Sequence, residues 1–85
     1  MKLEAWVFRP GSKGERVLID RKQGGRHRHL LACDYRALGA AVVDHFGGPD
    51  GIPWGASAVL SLRTNGDECV ESHTVNLDRL PGVPA

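Results

Sequence analysis

The sequence predicts an α+β fold: an antiparallel sheet of about five strands, in the order β-β-β-α-β-β, with one helix packed on one face. Three observations carry this. Short stretches near both ends alternate between apolar and polar residues and are rich in β-branched and aromatic side chains. A single run, Tyr35, Leu38, Val42 and Phe46, repeats at three- and four-residue steps, which makes one apolar helical stripe. Turn-forming clusters of Gly, Pro, Asn and Asp separate these segments.

Taken in order, residues 2–8 (KLEAWVF) alternate as a strand, and RPGSKGE follows as a Pro- and Gly-bearing loop. RVLID returns as a second strand, so the two form a hairpin. RKQGG turns the chain again and residues 26–33 (RHRHLLAC) read as a third strand. Its alternation places His27, His29, Leu31 and Cys33 on one side, with Arg28, Leu30 and Ala32 on the other. Asp34 suits a helix N-cap, because its carboxylate can accept the free amide hydrogens of a first turn. The helix runs to Gly47-Gly48, with Pro49 preventing its continuation. Gly39 lies within it, where it weakens the helix but permits a close approach to the sheet. His45 sits near the C-terminal end, where the helix dipole favours a cation. GGPDGIPWG is a connector in which Trp54 is expected to plug the edge of the core.

The second hairpin joins residues 56–64, which put Ala58, Leu60 and Leu62 on one face, to residues 68–77 across Asn65-Gly66. A two-residue turn sets Leu62 opposite Cys69 and Leu60 opposite Glu71, which puts a carboxylate on the apolar face. A three-residue turn with a bulge, the favoured version, sets Leu60 opposite Val70. Residues 1–80 form one domain and 81–85 a tail.

At 85 residues the chain has a thin core. One helix of about twelve residues is roughly 18 Å long and covers one side of a sheet. Yet the first strand is apolar on both sides: Leu3, Ala5 and Val7 point one way, Trp6 and Phe8 the other. Leu18 and Val59 extend the second set, so Trp6, Phe8, Leu18 and Val59 form a candidate partner interface.

The charge, +1 overall, is unevenly spread. Residues 1–36 hold nine Lys/Arg against four Asp/Glu, a net of +5, and residues 37–85 hold two against six, a net of −4. The basic turn with Arg21, Lys22, Arg26 and Arg28 is a candidate nucleic-acid contact, and Trp6 and Phe8 a candidate stacking platform for unpaired bases. A pI near 7.9 is well short of a dedicated nucleic-acid binder. His27, His29, Cys69 and His73 are the residue types that bind zinc, but strand geometry spreads residues four apart over roughly 13 Å, too far to share one ion. Cys33 and Cys69 are expected to be free thiols serving as small buried hydrophobes. No G-x-S-x-G, H-E-x-x-H, C-x-x-C or phosphate-binding glycine loop occurs. The N-terminal residues lack the long hydrophobic stretch of a signal peptide, and the expectation is a cytoplasmic chain.

The expected function is therefore a small non-catalytic, cofactor-free protein–protein interaction module. It would act as a homodimer or as an accessory or inhibitor protein docking on a larger partner, of the kind phages and mobile elements encode. The alternatives are an RNA- or DNA-binding module using residues 21–29, and a small metal-binding protein or ribonuclease-like enzyme.

Overall fold

Four strands, one fewer than the sequence predicts, form an antiparallel sheet in the order β2-β1-β3-β4. The structure, a computed structural model, describes residues 1–19 and 28–79, without the side chains of Leu18 and Arg79. The strands are β1 (Lys2–Phe8), β2 (Glu15–Ile19), β3 (Ser57–Arg63) and β4 (Cys69–Asn76). The helix α1 (Ala32–His45) lies between the two hairpins in sequence, and short 3-10 turns occupy Pro49–Gly51 and Leu77–Arg79.

The alternation in β1 and β3 sorts the side chains as their pattern requires. Leu3, Ala5, Val7, Ala58, Leu60 and Leu62 are buried with Leu38 and Val42 of α1 in one core. Val17, Ile19, Ala56 and Leu77 complete it. One helix on one side of one antiparallel sheet is the α+β architecture expected.

The missing strand has a visible cause. Residues 26 and 27 of the predicted strand lie outside the described residues, and the N–H groups of Leu30 and Leu31 go to carboxylates instead of a sheet ladder. The Leu30 N–H donates to Glu71 Oε2 at 2.8 Å and the Leu31 N–H to Asp34 Oδ2 at 2.7 Å. The helix begins at Ala32, so Asp34 is not the N-cap but the third helical residue. From there its buried carboxylate reaches back to the residue before the helix, one arm of a capping box. At the other end the double glycine works as expected. Gly47 takes a φ of 78°, and the N–H groups of Gly48 and Gly47 donate to the carbonyls of Val43 and Asp44. This Schellman pattern satisfies carbonyls the helix would otherwise leave open.

The second hairpin departs from both predicted registers. Its loop has three residues, Asn65–Asp67, closed by the Asp67 N–H on the Thr64 carbonyl and the Thr64 N–H on the Glu68 carbonyl. The left-handed residue is Asp67 (φ 68°). A further shift between Leu62 and Arg63 leaves Val70 as the extra residue of a bulge, so Leu60 faces His73 and Leu62 faces Glu71. The favoured Leu60–Val70 pairing does not form. Trp54 does not plug the core either: it is 79% exposed on the 52–55 turn. Both cysteines are free and exposed, which corrects their assignment to the core.

Leu60, fully buried at the centre of β3, is expected to lose about 2–5 kcal/mol of stability on replacement by alanine, whereas Trp54→Ala stays within about 0.5 kcal/mol. Equilibrium urea unfolding by circular dichroism measures both. Gly51→Ala is also expected to destabilise, because a β-carbon there meets the Phe46 carbonyl oxygen, a backbone atom that cannot swing aside.

Candidate functional site

The sheet face away from the helix is built by alternation. On β1 it carries Lys2, Glu4, Trp6 and Phe8, flanked by Arg16 on β2 and by Ser57, Val59, Ser61 and Arg63 on β3. The outermost strand adds Ser72, Thr74 and Asn76. Trp6 lies between Arg16 and Val59 in its cross-strand row and is 37% exposed. Among the described residues no helix lies over this face, because α1 is packed into the core on the other side.

Glu4 organises the middle of this surface. Only 8% exposed, it accepts the Trp6 indole N–H at 3.0 Å and an Arg16 Nη2 hydrogen at 2.8 Å. Arg63 Nε stands 3.7 Å from the same carboxylate, buried and without a hydrogen bond, while Arg63 Nη1 donates to the Asp67 carbonyl at 3.1 Å. A buried carboxylate is tolerated only when paired, and here two guanidiniums and an indole N–H supply the pairing. The tie to Glu4 directs the indole edge along the strand and leaves part of the ring uncovered.

The four residues of the predicted interface divide accordingly. Trp6 and Val59 are neighbours on the open face. Phe8 belongs to the same face but is half-buried against the loop before β2, where a β-carbon on Gly14 would lie 2.6 Å from Phe8 Cε1. Leu18 pairs with Glu4 in the backbone register, and its side chain lies outside the description. Of the predicted nucleic-acid residues, Arg21, Lys22 and Arg26 lie outside the described residues, and Arg28 is exposed.

The predicted metal residues do not assemble as a set. His27 lies outside the described residues. Glu71, which is not among the predicted metal residues, stands between the other two histidines: His29 Nδ1 is 3.8 Å from one carboxylate oxygen and His73 Nε2 is 3.6 Å from the other. The Cys69 thiol donates to the Glu71 backbone carbonyl at 3.7 Å and is exposed. Among the described residues no three His, Cys, Asp or Glu side chains are grouped to hold a metal ion. Glu71 also serves the fold by accepting the Leu30 N–H. Beside it, Tyr35 has its phenol pKa pushed above the usual value by partial burial, then by the charges of Glu71 and Asp34.

At the opposite corner Arg9, Glu15, His45 and Phe46 tie the first hairpin to the end of α1. Arg9 Nε donates to Glu15 Oε2 at 2.8 Å, His45 Nε2 lies 3.7 Å from Glu15 Oε1, and the Arg9 guanidinium sits 4.9 Å above the Phe46 ring. The Arg9 hydrogen bond, helped by the charges of Arg9 and His45, holds the Glu15 carboxyl below its ordinary pKa. The cluster reads as a structural clasp.

No helix among the described residues is long and apolar enough to cross a membrane. Comparison with protein-family models, with curated proteins and with solved structures gives no match.

The raised Tyr35 pKa fixes the sign of a pH effect. The folded state holds the phenol proton more tightly than the unfolded chain, so this contribution is intact below the ordinary value of 10.0 and is lost as pH rises above it. Tyr35→Phe is expected to flatten the alkaline fall of the urea midpoint between pH 9 and 11.5 relative to the unsubstituted protein.

Proposed function

We propose that this protein is a non-catalytic protein–protein interaction module that docks through the open face of its sheet, with Trp6 at the centre of the contact. The observation that supports this most directly is a large aromatic ring held by a buried carboxylate on a sheet side that no described helix covers. Aromatic and Arg side chains at the middle of a patch are the usual carriers of binding energy, and Trp6 stands beside Arg16 with Arg63 two rows along.

The charge on this face suits a particular partner. Arg16 and Arg63 share the single carboxylate of Glu4, so among the described residues one positive charge remains uncompensated next to the ring. A surface pairing an apolar side chain with carboxylates complements it. The exposed or part-exposed hydroxyls of Ser57, Ser72 and Thr74 offer further hydrogen bonds at the edge of such a contact.

Trp6 fluorescence provides the test, in a Trp54→Phe background that leaves it the sole tryptophan. Titration with a short peptide of alternating Glu and Leu is expected to shift the emission to the blue. Arg16→Glu is expected to weaken that response about tenfold or more. A response to poly-dT that falls linearly with log salt, in place of the peptide response, would replace this reading with a nucleic-acid one. No response to either probe would remove it.

A further inference from the structure

The outer edge of β4 carries an inference of its own, independent of what docks on the open face. The two edges of the sheet are unlike each other. β2 has five residues, including Glu15 and Arg16, and charge and shortness are common protections against unwanted strand pairing. β4 has eight residues, contains neither proline nor lysine, and carries one formal charge, Glu71. It is the most exposed strand, and among the described residues nothing pairs with its outer side. Its bulge at Val70 limits regular pairing at one end only.

We infer that β4 pairs with β4 of a second copy, antiparallel about a two-fold axis at Ser72, joining two four-stranded sheets into one. The strand is self-complementary in that register alone. Antiparallel partners must share a face, so the axis passes through a residue and not between two. An axis at Glu71 sets two carboxylates against each other. An axis at His73 sets His73 against itself and Glu71 against Val75, and one at Thr74 leaves Glu71 beyond the strand's own pairs. An axis at Ser72 sets each Glu71 opposite the other copy's His73, an imidazole N–H donor facing a carboxylate twice over. Glu71 and His73 already share a face and lie 3.6 Å apart within one chain, so both point to the side where the cross-strand pairs form. The axis is perpendicular to the sheet, so both Trp6 rings emerge on one side of the joined sheet.

Solution mass and cross-linking test the register. The protein is expected to sediment as a dimer at high micromolar concentration. In a Cys33→Ser, Cys69→Ser background, Ser72→Cys is expected to form a disulfide-linked dimer on mild oxidation, since directly opposed β-carbons lie about 4.5–5.5 Å apart. Thr74→Cys is expected not to link, its equivalents being offset by four residues, about 13 Å. Glu71→Lys and His73→Glu are each expected to weaken dimerisation about tenfold, and the double exchange to restore it. Because Glu71 also holds the Leu30 N–H, Glu71→Lys and the double variant, which both lack that bond, are the decisive pair. A monomer at all concentrations overturns the inference, as does linkage at Thr74 but not Ser72, or a double exchange no tighter than the single ones. The Trp6 titration is unaffected by any of these results, so the two readings fail separately.

Discussion

Among the described residues a single helix closes the sheet, and much of the molecule follows from that shortage. Fourteen residues make a helix about 21 Å long and about 10 Å wide, set against four strands spanning roughly 19 Å. It covers one side by crossing corner to corner. Its entry is fastened near β4, where Glu71 receives the Leu30 N–H and lies beside Tyr35. Its exit is fastened at β2, where His45 meets Glu15. Between these points Leu38 and Val42 supply the fully buried contacts. No second helix occurs among the described residues, and the other side of the sheet is made compatible with water.

It does this with polar residues and one paired charge. Serines, threonine and asparagine occupy most of the outer positions on β3 and β4, leaving Trp6 and Val59 as the apolar centre. Glu4 is the unusual element. An unpaired carboxylate at 8% exposure would be strongly unfavourable, and Arg16, Arg63 and the Trp6 indole remove that penalty. The same bonds hold the ring in place. A preorganised aromatic side chain loses little entropy when something docks on it, so the device that makes the open face tolerable also prepares it for contact.

The elements legible in the sequence were those with a repeated pattern. Alternation in residues 2–8 and 56–64 placed Leu3, Ala5, Val7, Ala58, Leu60 and Leu62 in the core, and the stripe through Leu38 and Val42 located the helix. The double glycine located its end. What pattern could not supply was the destination of single polar groups. Residues 26–33 alternate like a strand, but the amides of Leu30 and Leu31 are taken by Glu71 and Asp34. One of those acceptors lies 41 residues away, beyond any local rule. The hairpin register slipped for a related reason: Asp67 rather than Gly66 adopts the left-handed conformation, and a bulge displaces Val70. Glu4 did leave a trace, as the one carboxylate of the strand, two residues from a tryptophan on the same side.

The two exposed surfaces differ in what they can bind, and that difference follows from symmetry. A two-fold contact places each residue against the same patch of another copy. On the open face such a contact would bring Arg16 and Arg63 toward their own equivalents, with one Glu4 per chain already engaged, so self-pairing there is opposed by like charge. Along β4 the order reverses. Glu71 and His73 lie on either side of Ser72, and a two-fold axis through that serine exchanges them, bringing each acceptor to a donor. On the proposed readings the strand edge would take a copy of itself and the open face a surface of different chemistry, so occupation of one would not compete with the other.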